Sequence, residues 1–250
     1  MTALVILVWG CSVMSATLTA ALAQNVRVRL IQLRMPTFGK VCEQSMNAAP
    51  RGTDSGKRML RREFLSVRNR LTEDDVQEKA AQFAARAADL PALCQVSTVA
   101  AYVSMGTEPG TGALLDWLRG RGTRVLLPVL LADNDLSWGE YTGPGSLATV
   151  RHPGRMALRE PAGPPLGTGA VLAADTVLLP GLAVDHAGIR LGRGGGSYDR
   201  VLARLARAGA DPALVVLVYE GEVVEALPHE PHDQPVHAAL TPAAVHRFAI

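Results

Sequence analysis

The chain has 250 residues, 48% hydrophobic but only 4% aromatic, so it can bury a sizeable core built mostly from Ala, Val and Leu, as one large domain or two small ones. A formal net charge of +2 without any Lys/Arg run excludes a basic nucleic-acid stripe. Cys11, Cys42 and Cys94 form no CxxC pair and the histidines no HExxH, which argues against a disulfide framework and a zinc site and fits a reducing, cytoplasmic compartment.

Met1 to Gln24 carry no charge and are largely apolar, and Ala21-Leu22-Ala23 has the small-x-small form of a cleavage site. The basic n-region of a secretory signal is missing, and Ser, Thr and Gly dilute the run below a convincing membrane span. Arg27 to Asp54 shows no periodicity. Residues 1–52 are therefore read as an extension, disordered or translated from a start placed too early, with Met46 as the alternative start; a signal or anchor is the competing account. Residues 53–250 are read as a single domain, with no stable membrane association.

From Gly56 the pattern is helical, with Met59, Leu60, Phe64, Val67 and Leu71 at helical spacing among Arg61, Arg62, Arg68 and Arg70. Thr72 followed by Asp75 has the form of a capping box opening a second helix through Ala88. Val99 to Ser104 reads as a buried strand ending in a Gly-Thr-Glu-Pro-Gly loop, Ala113 to Arg119 as a helix, and Arg124 to Pro128 as a strand. Leu136 to Tyr141 reads as an edge strand with Trp138 facing a cleft. Residues 142–170, rich in Gly and Pro, read as loop. Thr176 to Leu179 is a central strand, Tyr198 to Ala208 a helix and Ala213 to Tyr219 an apolar strand. The prolines beside His229 and His232 place both in a loop. Strands alternating with helices predict an α/β fold with a mostly parallel sheet covered by helices on both faces. Ligands of such sheets bind beyond the C-terminal strand ends, so the Ser104–Glu108 loop and the loop after Leu179 are expected to share one site.

The stretch Leu178 to Arg200, LLPGLAVDHAGIRLGRGGGSYDR, carries the strongest chemical signal. Gly192, Gly194, Gly195 and Gly196 let a ligand approach the main chain, successive N–H groups beside a helix start suit anions, and Arg190 and Arg193 can fork onto phosphate oxygens. It is neither a P-loop, since no lysine lies beyond Lys79, nor GxGxxG, since Ser197 stands at the third glycine position. A polyphosphate site is the preferred reading; a glycine-rich surface turn with solvated arginines is the alternative.

Several separated pieces now agree. Pro180 to Arg200, Lys57-x-x-Leu60-Arg61, Tyr102 to Glu108, Gly154 to Pro161 with Glu160-Pro161 at its end, and Pro228-x-x-Pro231-His-Asp233-Gln-Pro-Val236 occur in one order, and from Lys57 to Thr241 the chain resembles the 5-formyltetrahydrofolate cyclo-ligase (5,10-methenyltetrahydrofolate synthetase) family. The resemblance implies a three-layer α/β fold similar to the sugar-phosphate isomerase and CoA-transferase superfamily, a monomer, and closure of 5-formyltetrahydrofolate to 5,10-methenyltetrahydrofolate with ATP and Mg²⁺, releasing ADP and phosphate. It further implies that the formyl oxygen is phosphorylated before N10 captures the formyl carbon.

By position, Lys57, Arg61, Arg190, Leu191, Gly192, Arg193, Gly194, Gly195, Gly196, Ser197 and Tyr198 would bind ATP, with Lys57 and Arg193 acting in phosphoryl transfer. Val103, Glu108, Arg193 and Ser197 would contact the folate, Glu108 gripping the pterin. Asp199 would hold Mg²⁺ with Asp233 as a second acidic partner; for Asp199, ordinary acid placement in a helix's first turn is the bland account. Three departures stand out. Ser197 replaces the first of two adjacent tyrosines, Val184 replaces the usual Phe, and Ala157 sits where glycine is common. Ser197 favours a competing reading, a diverged non-catalytic formylfolate- and nucleotide-binding protein. Lys57, Arg61, Arg193 and Asp199 oppose it, because a mere binder needs no phosphate and metal apparatus.

Overall fold

The computed structural model describes residues 4–9, 12–17, 53–154 and 157–249. Residues 1–37 and 38–250 form two separate units. In the first, β1 (Leu4–Trp9) and β2 (Ser12–Thr17) pair antiparallel, Leu4 opposite Thr17. The reading of residues 18–52 as part of an extension lies outside the described residues.

The second unit opens with α1 (Thr53–Arg68), which carries Asp54 in its first turn and Arg68 in its last, as the helix dipole favours. Its buried side chains are Lys57, Leu60, Phe64 and Arg68, so two of these four are basic. Met59 and Val67, which share the apolar periodicity, are only half-buried. A capping box opens α2 (Glu73–Ala87): the Thr72 hydroxyl accepts from the Asp75 N–H, while the Asp75 carboxylate accepts from Thr72. A short helix, α3 (Pro91–Cys94), leads into β3 (Thr98–Ala100), and α4 (Gly112–Gly120) precedes the hairpin β4 (Arg124–Leu130) and β5 (Leu136–Glu140). Next come β6 (Leu147–Val150), β7 (Leu158–Pro161), β8 (Thr176–Pro180), β9 (Ala183–Asp185) and β10 (Arg190–Leu191). The chain closes with α5 (Ser197–Ala208), β11 (Ala213–Leu217), β12 (Val223–Val224), β13 (Ala238–Leu240) and β14 (Val245–Arg247).

A seven-stranded sheet in the order β14-β13-β11-β8-β3-β4-β5 forms the centre. Its interior pairs are parallel, and both edge strands run antiparallel. Alternation along the strands sends side chains to two cores. On one face Val99, Val125, Leu178, Val215 and Leu217 meet Phe83 of α2 and Leu114, Leu115 and Leu118 of α4. On the other, Ala100, Leu126, Val177, Leu179 and Val216 meet Val201, Leu202 and Leu205 of α5. Each such Leu or Val contributes about 1.5–3 kcal/mol through burial, and together they hold the three layers. A small sheet, β10-β9-β12, packs under α1 through Leu60, Phe64, Leu182, Ile189 and Leu227.

Two expectations are corrected. Trp138 does not face a cleft: it is fully buried, because the 3₁₀ segment Thr168–Ala173 brings Val171 over β5. Residues 142–170 are not one loop: β6 and β7 pair antiparallel, Ala148 opposite Glu160, and Pro161 packs over Gly139 of β5. The other elements form as the periodicity predicts, with ends shifted by a few residues.

Candidate functional site

The parallel strands β3 and β8 end beside a cavity of about 280 Å³. From the β3 end come Tyr102, Val103, Met105 and Glu108; β4 adds Pro128 and Leu130; β7 adds Glu160; β8 and the glycine loop add Pro180, Arg190 and residues 192–199. The two loops expected to share one site do so, and Arg193 ties them: its Nη1 donates to Glu108 Oε1 at 2.8 Å. Glu108 is fixed in turn by the Met105 N–H at its Oε2, 3.0 Å.

The loop's shape follows from its glycines. Gly194 (φ +86°) and Gly196 (φ +74°) take left-handed conformations that other residues rarely adopt. A Cβ on Gly194 would also press on the Arg61 guanidinium at 3.2 Å. Gly196 caps α5 without a side-chain hydrogen bond, so the helix presents its first N–H groups beside the cavity. Leu191 is buried in the small core beneath the loop, so only its backbone is available to a ligand.

Three arginines hold or flank this loop, and Lys57, one helical turn before Arg61 on α1, lies outside the cavity wall; each is positioned differently. Arg61 donates from Nε to the Gly192 carbonyl at 2.9 Å, holding the loop from α1. Arg190 is almost wholly buried, donating to the Pro180 carbonyl and, at 2.9 Å, to Asp199 Oδ1. Burial lowers the Arg190 pKa, an effect only partly offset by Asp199 and the more distant charge of Asp233. Arg193 is the accessible one, its side chain 51% exposed. Lys57 is no solvated surface lysine: it is 8% exposed and donates to Asp233 at 2.6 Å and Glu230 at 3.0 Å. Tyr198 lines the cavity, and burial raises its pKa, so it stays a neutral phenol. Ser197 and Val103 sit in the same wall.

The Lys57–Asp233 pair sets a pH dependence whose sign can be worked out. Burial works to lower the Lys57 pKa, but its hydrogen bonds to Asp233 and Glu230 prevail and raise it above 10.5. For Asp233, burial works upward, yet the Lys57 hydrogen bond prevails and lowers the carboxyl below 3.8. Asp233 thus contributes stability that is present above 3.8 and lost as pH falls through the depressed folded value. Lys57 contributes stability that is present below 10.5 and lost as pH rises through the raised folded value. Replacing Lys57 with Met is expected to cost about 1.5–3 kcal/mol at neutral pH. Urea unfolding of both proteins across pH should show that difference flat at neutrality and shrinking at both extremes.

Three further residues of this region have no role assigned from sequence alone. Glu230 supports Lys57. Glu160 is buried in the cavity wall and accepts from the Leu130 N–H at 3.1 Å, with the His152 ring 2.8 Å from the same oxygen. Tyr102 lies at the end of β3. Glu160 and Tyr102 are specified residues of recognisable motifs, whereas Glu230 falls at an unspecified position of the Pro228–Val236 motif. Among the described residues no group of three or more His, Cys, Asp and Glu is placed to hold a metal ion. No described helix is long and apolar enough to cross a membrane.

Comparison with known proteins agrees with this geometry. The family model described as the 5-formyltetrahydrofolate cyclo-ligase family matches residues 53–242. A Mycolicibacterium smegmatis protein named 5-formyltetrahydrofolate cyclo-ligase is 45% identical over 152 residues, covering 58% of this chain and 73% of that one. The Escherichia coli protein of the same name is 32% identical over 180 residues, covering 71% and 96%. The NMR structure of Aquifex aeolicus 5,10-methenyltetrahydrofolate synthetase superposes with a TM-score of 0.64 at 26% identity, over 78% of this chain and 93% of that one.

Proposed function

The chain belongs to the 5-formyltetrahydrofolate cyclo-ligase family, and from that premise we propose that it closes 5-formyltetrahydrofolate into 5,10-methenyltetrahydrofolate at the expense of ATP, with Mg²⁺ as cofactor. In the proposed reaction the formyl oxygen attacks the γ-phosphate and ADP leaves. N10 then attacks the activated formyl carbon, its proton is lost, and phosphate departs. Phosphoryl transfer of this kind needs charge neutralisation and alignment more than a protein nucleophile. The observation that carries the reading is the Arg193–Glu108 contact, which closes the glycine loop against the β3 loop around one cavity.

The residues divide the work by what they already bind. Lys57 has three donors and uses two on Asp233 and Glu230, which leaves one for a phosphate oxygen. Arg61 and Arg190 hold the loop whose N–H groups receive the phosphates, from Gly192 to Tyr198. Arg193 neutralises the charge developing in transfer and, with Val103, Glu108 and Ser197, contacts the folate; the unfilled lone pairs of Glu108 accept from the pterin edge.

The donor set fits magnesium, which takes one or two carboxylates and completes its shell with phosphate oxygens and water. Asp199 is more than half exposed in the cavity wall, and Arg190 holds its Oδ1. Asp233 commits Oδ2 to Lys57 and to the Glu230 N–H, so a direct share in the ion falls to its other oxygen. When bound, magnesium would screen the phosphate charges and orient the transferred group.

The test is the absorbance of methenyltetrahydrofolate with purified protein, 5-formyltetrahydrofolate, ATP and Mg²⁺. Product that requires both ATP and metal is the expected result. Saturable formylfolate binding without product would overturn it in favour of the non-catalytic binder that Ser197 suggests.

A further inference from the structure

Tyr102 lies two residues beyond the end of β3, a central strand of the sheet, and forms part of the cavity wall beside Val103. It is 3% exposed, and its hydroxyl has no hydrogen-bond partner among the described residues. Two other tyrosines of the core are satisfied: Tyr141 donates to Asp116 at 2.8 Å and Tyr219 to the Thr107 carbonyl at 3.2 Å. A buried hydroxyl left unpaired is costly, so this one calls for an explanation.

The explanation lies in where the hydroxyl sits. Glu108, Arg68, Tyr198 and Tyr219 are near enough for their charges to act on it, and burial raises its pKa well above the usual phenol value, so it remains a donor. Glu108 and Tyr198 belong to the same cavity wall. Resting on the cyclo-ligase reading, we infer that the Tyr102 hydroxyl is a substrate-recognition group, donating a hydrogen bond to an acceptor on the folate head. The assignment complements that of Glu108, which can only accept while ionised. A pterin edge carries N–H and NH₂ donors beside a ring carbonyl, so its recognition needs both a protein acceptor and a protein donor. Because the hydroxyl is withdrawn from water, a ligand lacking the acceptor would leave it unpaired, and that makes the contact discriminating.

Tyr102→Phe removes only the oxygen and tests this directly. The expected result is a rise of roughly three- to tenfold in KM for 5-formyltetrahydrofolate at unchanged KM for ATP. The melting temperature of the ligand-free variant should stay equal or increase, because an unpaired group has been removed, while its stabilisation by 5-formyltetrahydrofolate shrinks. An unchanged folate KM would overturn the assignment. So would a ligand-free variant that melts several degrees lower, since the hydroxyl would then already be served within the free protein. A wild-type chain that forms no methenyl product would instead overturn the cyclo-ligase reading, and the assignment with it.

Discussion

Replacing Arg193 with alanine is expected to lower kcat/KM for 5-formyltetrahydrofolate on the order of a thousandfold, about 4 kcal/mol of transition-state stabilisation. Arg61 and Arg190 are anchored to backbone carbonyls and Arg190 also to Asp199, whereas the side chain of Arg193 is half exposed at the cavity and, among the described residues, held by Glu108 alone. Its guanidinium can therefore reach a transferring phosphoryl group without dismantling the loop. Removing it also frees Glu108, so folate affinity should change alongside turnover. Stability should not: an ion pair this exposed is worth about 0–1 kcal/mol, and the melting temperature should move little. Arg193→Lys keeps the charge but loses the planar fork, and should recover only part of the rate. Steady-state absorbance kinetics beside thermal melts separate the two effects. Activity within tenfold of wild type, in a folded Arg193→Ala protein, would remove Arg193 from the chemistry.

The largest loss of stability is expected at Arg68, at the other end of α1. Arg68 is 2% exposed; its Nε donates to Glu222 Oε1 at 2.6 Å and its Nη2 to Glu222 Oε2 at 2.7 Å. Nη2 also donates to the Gly181 carbonyl, and the guanidinium lies 5.4 Å from the Tyr219 ring centroid. Burial works against the charge on Arg68, but the Glu222 hydrogen bonds prevail and its pKa is raised. The pair clamps α1 to the turn after β8 and to the segment before β12. Arg68→Ala leaves the Glu222 carboxylate buried without its partner and is expected to cost about 3–5 kcal/mol, near 10 °C in melting temperature for a domain of this size. Replacing both partners together with Met and Leu should cost much less than the single change, because no charge is stranded. A double-mutant cycle by urea unfolding measures the coupling. A single variant within about 1 kcal/mol of wild type would mean the clamp is dispensable.

Several features were legible in the sequence because they are local. The capping box of Thr72 and Asp75 closes over three residues and forms as read. The run from Leu178 to Arg200 announced a strand, a glycine-rich loop and a helix start, and all three are present. Lys57 and Arg61 were legible as two basic groups one helical turn apart, and the order of short motifs named the family.

What escaped the sequence is what depends on partners far along the chain. Trp138 belongs to an alternating edge strand, and alternation says only that two faces exist. Which face is covered was decided by the segment around Val171, which folds back over β5. The Gly- and Pro-rich stretch 142–170 lacks a strong strand period, yet β6 and β7 form because each supplies the other's ladder.

The sequence by itself therefore determined the layered α/β class, the glycine loop with its arginines, and the family, since periodicity and motif are properties of neighbouring residues. The tertiary structure alone decided the pairings: Lys57 with Glu230, 173 residues away, Arg68 with Glu222, 154 away, and Arg193 with Glu108, 85 away. It alone decided, too, that the Tyr102 hydroxyl has no partner among the described residues and that Tyr102 belongs to the cavity wall. The physical reason is that a charge or hydroxyl removed from water must be answered by another group in space, and only the folded chain settles which group that is.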